Sequence, residues 1–148
     1  LFLASCAVVE EKQPDSQTIL ETDTYAAWRL TGHEKAVAAS NRAVTLLLTQ
    51  ADELIAQENF EQAGDKLERL VRIEPHFAQA WSRLAWIALK NGDAKRSNQL
   101  AQRSNSYSRD NTNLKILNWH FIKKSGELLN DVDLVQRAQQ MITKLGND

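Results

Sequence analysis

One cysteine, one methionine, two prolines and five glycines are all that 148 residues hold of these types. A single cysteine rules out an internal disulfide framework. Scarce proline and glycine, with no run of alternating apolar and polar residues, argue against a β architecture. Eighteen basic against nineteen acidic residues leave a net charge of −1, so no nucleic-acid surface is expected. No apolar stretch reaches the length that a membrane-spanning helix requires. The three histidines, His33, His76 and His120, stand far apart and lack the i, i+4 pairing of a helical metal site. There is no glycine-rich phosphate loop and no nucleophile elbow, and the adjacent acid pairs Glu10-Glu11 and Asp52-Glu53 read as solvated surface. The expectation is a chain that is not an enzyme, with no metal, no cofactor and no small-molecule substrate.

What is present is a repeat. Shifted by 34 residues, the sequence lays Leu54 on Ala88, Phe60 on Ala94, Ala63 on Ser97 and Leu67 on Ala101. The same step carries Glu58 to Gly92 and then to Gly126. A 34-residue period of two helices is the tetratricopeptide signature, W-x2-L-G-x2-Y, then A-x3-F, then P. Trp81-x2-Leu84-Ala85-x2-Ala88 carries its first half, and Ala63-x3-Leu67 with Pro75 carries the second half one repeat earlier. The fold class expected is all-α, a tetratricopeptide-like helical solenoid of about three helix pairs over residues 41–148. An apolar content of 43% suits one such domain with a real core. Such folds present surfaces to partners more often than they perform chemistry.

Six helices follow from the apolar spacing. The first runs from Asn41 to Gln57, with Val44, Leu47, Leu48, Ala51, Leu54 and Ile55 on one face. Asn59 is the residue expected to take a left-handed turn after it. The second, Phe60–Ile73, turns Phe60, Ala63, Leu67, Leu70 and Val71 inward and ends before Pro75; Gly64 would let a neighbouring helix approach. The third spans Phe77–Lys90, closed by Asn91-Gly92-Asp93, and the fourth Ala94–Tyr107, with Ser97, Ala101 and Ser104 on a lean inner face. The fifth, capped by Asp110, runs from Asn111 to Lys124 and stops at Ser125-Gly126. The sixth, Leu128–Leu145, buries Leu128, Val132, Val135, Ala138 and Ile142.

The fifth helix departs from the signature: Lys115, Asn118 and Trp119 stand where Trp, Leu and a small residue belong. It carries apolar residues all round, which calls for cover on more than one side.

The binding surface follows from angle. At about 100° per residue, Trp81, Leu84, Ala85 and Ala88 share one stripe, and Trp86 lies roughly 140° away, beside Gln79, Arg83 and Lys90. In a tetratricopeptide array that second face lines the concave groove, and His120, Asn113 and Lys124 hold the matching places on the fifth helix. The partner-binding groove is therefore expected at Gln79, Arg83, Trp86, Lys90, Asn113, His120 and Lys124, with Trp86 either a partner's anchor or packed against the fifth helix or a folded-back N-terminal segment. On this reading Trp81 belongs to the repeat core and truncating Trp86 spares the fold.

The beginning of the chain carries a second signature. Leu3-Ala4-Ser5-Cys6 follows Leu1-Phe2 and precedes a polar stretch. It resembles the bacterial lipobox, an aliphatic residue, two small residues and a cysteine. The resemblance implies that residues 1–5 end a lipoprotein signal sequence, that Cys6 receives a diacylglycerol, and that Ala7, not being Asp, directs sorting to the outer membrane. Residues 6–40 would be the lipidated N-terminus and a flexible tether, reaching about 110 Å at full extension. Within it Tyr25-Ala26-Ala27-Trp28-Arg29-Leu30 is unusually apolar, suiting a segment folded back onto the solenoid or a short motif for a partner.

Lipobox, polar tether and one small repeat domain together resemble the gammaproteobacterial outer-membrane lipoproteins that activate peptidoglycan synthases, the LpoP type. The similarity runs from Val44 to Ile122, with echoes at Gly92-Asp93, Leu100-Ala101-x-Arg103-Ser104 and Asn118-Trp119. It implies a non-catalytic lipoprotein on the periplasmic face of the outer membrane, bound to a bifunctional class A penicillin-binding protein and stimulating its glycan synthesis and cross-linking. The alternative is a pilotin-like lipoprotein that escorts a secretion or envelope assembly.

Overall fold

The computed structural model describes residues 41–147. Cys6, the tether and the Tyr25–Leu30 segment lie outside the described residues. Six helices fill the described range: α1 (Arg42–Ala56), α2 (Phe60–Ile73), α3 (Ala78–Lys90), α4 (Ala94–Tyr107), α5 (Thr112–Leu129) and α6 (Val132–Asn147). They form three hairpins, α1/α2, α3/α4 and α5/α6. Each helix packs on its successor in the chain, and α3 also touches α5. No strand occurs among the described residues.

Helix starts are set by short polar side chains that satisfy orphan amides. Asn59 Oδ1 accepts from Gln62 N, Asp93 Oδ1 from Arg96 N at 3.0 Å, and Asp131 Oδ1 from Leu134 N at 2.9 Å. At α5 the cap is Asn111, accepting from Leu114 N at 3.0 Å, one residue beyond the Asp110 expected from sequence. Helix α3 has Phe77 at its N-cap and so no side-chain cap; instead the Trp81 indole Nε1 donates to the Pro75 carbonyl at 2.8 Å and ties down the loop before it.

The three hairpin turns share one geometry. Glu58, Gly92 and Asn130 adopt φ of 58°, 78° and 56°, and the next amide in each case reaches back to the carbonyl five residues before it. These bonds are Asn59 N to Leu54 O, Asp93 N to Ala88 O and Asp131 N to Gly126 O, at 2.8, 2.8 and 2.9 Å. This is the Schellman closure of a helix end. Glu58, not Asn59, takes the left-handed conformation at the first turn.

Gly126 is not the third turn. Helix α5 runs through it and closes at Asn130, 38 residues after Gly92, so the last repeat is longer by about one helical turn. Gly126 serves packing instead: a Cβ there would stand 2.9 Å from Val135 Cγ2, 3.2 Å from Val135 N and 3.3 Å from Asp131 O. The corner of α5/α6 thus needs a residue without a side chain. The extension also moves Leu128 onto the end of α5 and delays α6, so Leu128 and Val132 are exposed rather than buried, while Leu134, Ala138 and Ile142 face inward.

Gly64 shows the reverse. Apart from the backbone of its own turn of helix, nothing lies within 4 Å of where its Cβ would stand, so no neighbouring helix exploits the gap. Gly64→Ala is expected to stabilise the domain by about 0.5–1 kcal/mol through helix propensity, whereas Gly126→Ala should destabilise it by about 1–3 kcal/mol through overpacking against backbone. Thermal melts of the two variants with the parent check the opposite signs.

The core is continuous from α1 to α6. Leu67, Leu70, Ala63 and Phe77 join Leu84, Ala85, Leu114 and Phe121, with Ala138 closing the far end. Burying each of these leucines and phenylalanines contributes about 1.5–3 kcal/mol.

Candidate protein-binding face

Helix α3 carries the site, and Arg83 is its fixed point. Its guanidinium forms a two-pronged pair with Asp52 on α1, Nε to Oδ1 at 2.6 Å and Nη2 to Oδ2 at 2.9 Å. Nη1 donates to the Gln79 carbonyl at 3.2 Å, one turn earlier on α3. The Arg83 side chain is 1% exposed and that of Asp52 13%. From sequence Asp52 reads as solvated surface; the structure largely withdraws it from water as the carboxylate partner of a buried arginine. Such a parallel pair fixes geometry as well as charge.

Three residues along, Trp86 is 3% exposed and meets Phe60 edge-on, with ring centroids 5.3 Å apart. The Lys90 ammonium lies 5.3 Å from the centre of the same indole, on an exposed side chain. Trp81, the residue that the repeat signature puts in the core, is only partly buried: it packs on the core's edge with the Arg103 guanidinium 4.4 Å above its ring. Trp86 is therefore the more deeply buried of the two tryptophans, where the repeat signature puts Trp81 in the core.

Next to α3 stands α5. His120 is buried on it, Asn113 is exposed, and the half-exposed Lys124 pairs with Glu127 at 3.4 Å. The relation between α3, α4 and α5 is held by a polar chain: Asn118 Nδ2 donates to Ser104 Oγ at 2.8 Å and Asn105 Oδ1 at 2.9 Å, and Ser104 Oγ donates to the Ala78 carbonyl at 2.8 Å. Asn118 replaces the leucine of the repeat signature because it exchanges apolar contact for this three-helix link. Buried amide bonds of this sort specify one packing angle rather than adding much net stability.

The tetratricopeptide repeat family matches residues 54–117. The globular C-terminal domain of P. aeruginosa LpoP has a similar structure, with TM-score 0.61, 30% sequence identity, and coverage of 70% of this chain and 94% of that one. The chain belongs to the LpoP-type tetratricopeptide-repeat proteins. No curated protein sequence matches it.

For this LpoP-type domain the residues expected at the groove divide into two sets. Gln79, Arg83, Trp86 and His120 are buried, whereas Lys90 and Asn113 are exposed and Lys124 is partly exposed. Sequence reasoning missed Asp52. The signal was in the register, since Asp52 stands 34 residues before Trp86 and so holds the same place in its repeat. No cluster of metal-ligating side chains and no helix long and apolar enough to cross a membrane occurs among the described residues. His76 packs edge-on against Tyr107, with centroids 4.8 Å apart.

Proposed function

We propose that this protein activates a bifunctional class A penicillin-binding protein, acting as a non-catalytic lipoprotein anchored through Cys6 to the periplasmic face of the outer membrane. The observation that carries this reading is the 30% identity over 94% of the LpoP domain, joined to the repeat fold. Residues 6–40 would act as the tether, and residues 41–148 as the binding domain. The domain supplies no chemistry of its own; it works by binding a protein partner and shifting that partner towards its active state.

The partner's contact surface on this reading is the concave face, with Lys90, Asn113 and Lys124 at its rim and Gln79, Arg83, Trp86 and His120 beneath. Rim charges steer encounter and register, and their reversal acts without opening a core cavity. The full chain with Lys90→Glu and Lys124→Glu together should bind a purified class A synthase about tenfold more weakly, or about 1.4 kcal/mol, and lose stimulation of glycan-strand synthesis in parallel. A titration followed by a polymerisation assay reads both. A synthase that neither binds nor responds to the unmodified chain removes the proposal. A double variant that binds at full strength moves the contact to another face.

A further inference from the structure

The loop from α2 to α3 and the loop from α4 to α5 line one cleft of about 660 Å³, together with the first turns of α3 and α5. That volume is in the range of ligand sites. Helix α3 has no side chain at its N-cap to accept from its first amides, and those of Ala78 and Gln79 have no acceptor among the described residues. Both residues are buried, at 4% and 6% exposed. A buried amide without an acceptor costs about as much as a lost hydrogen bond. Gln79 also lines the cleft, and its side-chain amide has no hydrogen-bond partner among the described residues; only its main-chain carbonyl is used, by Arg83. A side-chain amide offers a donor and an acceptor together, the complement of a peptide group. Arg109 is exposed, lines the same cleft and makes no ion pair among the described residues.

We infer that this cleft binds an acidic peptide, an extended segment whose Asp or Glu carboxylate takes the free amides of α3 and the Arg109 guanidinium while its main chain pairs with the Gln79 side-chain amide. The start of a helix carries partial positive charge and open N–H groups, which suit an anion. Glu74 and Asp110 line the cleft as well, so a doubly charged anion such as phosphate is disfavoured and a single carboxylate fits. Asp110 is offset by the start of α5, which follows it directly. Glu74 closes α2 at that helix's negative end and is the residue that opposes the ligand. Phe77 and Leu114 supply apolar wall for the rest of the segment. The site goes beyond the proposed function and does not depend on it, since neither Lys90 nor Lys124 lines the cleft.

The test titrates the isotope-labelled full chain with acetyl-Ala-Glu-Ala-amide and follows, by NMR, the main-chain amides of Ala78 and Gln79 and the side-chain amide of Gln79. All three should shift saturably, and acetyl-Ala-Gln-Ala-amide should bind about tenfold more weakly. Arg109 sits at φ 43°, so Arg109→Gly suits the backbone; it should weaken the Glu peptide several-fold. Glu74→Gln should strengthen it several-fold. No saturable shift, shifts centred on another face, or equal affinity for the two peptides would overturn the proposal. So would an Arg109→Gly chain that binds at full strength, or a Glu74→Gln chain that does not bind more tightly. The last arm is acetyl-Ala-Ala-Ala with a free terminal carboxylate: should it bind more tightly than the Glu peptide, the cleft takes chain ends and the proposal fails. Failure here leaves the synthase titration unaffected, and the converse also holds.

Discussion

Asp52→Ala is expected to destabilise the domain by about 3–5 kcal/mol, although the residue lies on a helix face that composition marks as surface. The cost comes from the partner left behind. Arg83 stays charged at any accessible pH, and its side chain is 1% exposed, so deleting its Asp52 partner removes two charge-assisted hydrogen bonds at 2.6 and 2.9 Å without returning the guanidinium to water. The paired replacement Asp52→Leu with Arg83→Met removes both charges and should come close to the parent, within about 1–2 kcal/mol. Urea unfolding of the two chains beside the parent measures the contrast. A loss below about 1 kcal/mol for Asp52→Ala would mean that the pair behaves like an exposed one.

Trp86→Ala is expected to cost about 3–5 kcal/mol, as for other large-to-small changes at buried aromatic sites. The indole is buried against Phe60, and its removal also strips the ring from beneath Lys90. Trp81→Ala should cost less, about 2 kcal/mol, because Trp81 is already partly in water and forfeits mainly its bond to the Pro75 carbonyl and its contact with Arg103. The order is the reverse of the one expected from the repeat signature. Thermal melts of the two single variants decide it: should Trp81→Ala melt first, the signature rather than the burial governs this repeat.

The sequence made the helices legible where the pattern was local. Leu67, Leu70 and Val71 recur at helical spacing, and α2 and α4 begin and end where that spacing and the caps imply. Failure came where one residue type answers two demands. Glycine at a helix end and glycine under a crossing side chain look alike in a sequence, and only the path of Val135 over Gly126 tells them apart. The error then passed to Leu128 and Val132, whose faces depend on where the turn falls. At the site, the angle per residue is enough to gather Gln79, Arg83, Trp86 and Lys90 on one side of α3. Helical angle carries no information about what lies over that side, since cover depends on contacts distant in sequence. Asp52 was legible only through the repeat register, which the charged pair Asp52-Glu53 obscured.

The order in which the helices touch has a kinetic meaning. Nearly all packing joins a helix to the one that follows it, and the α3–α5 contact skips a single helix. Few loops need closing before contacts begin to reward the chain, so the domain is expected to fold in microseconds to milliseconds, as helical proteins with local contacts do. A chain emerging from its N-terminus can close α1 on α2 before α5 exists, and each new hairpin then finds a finished surface to condense on.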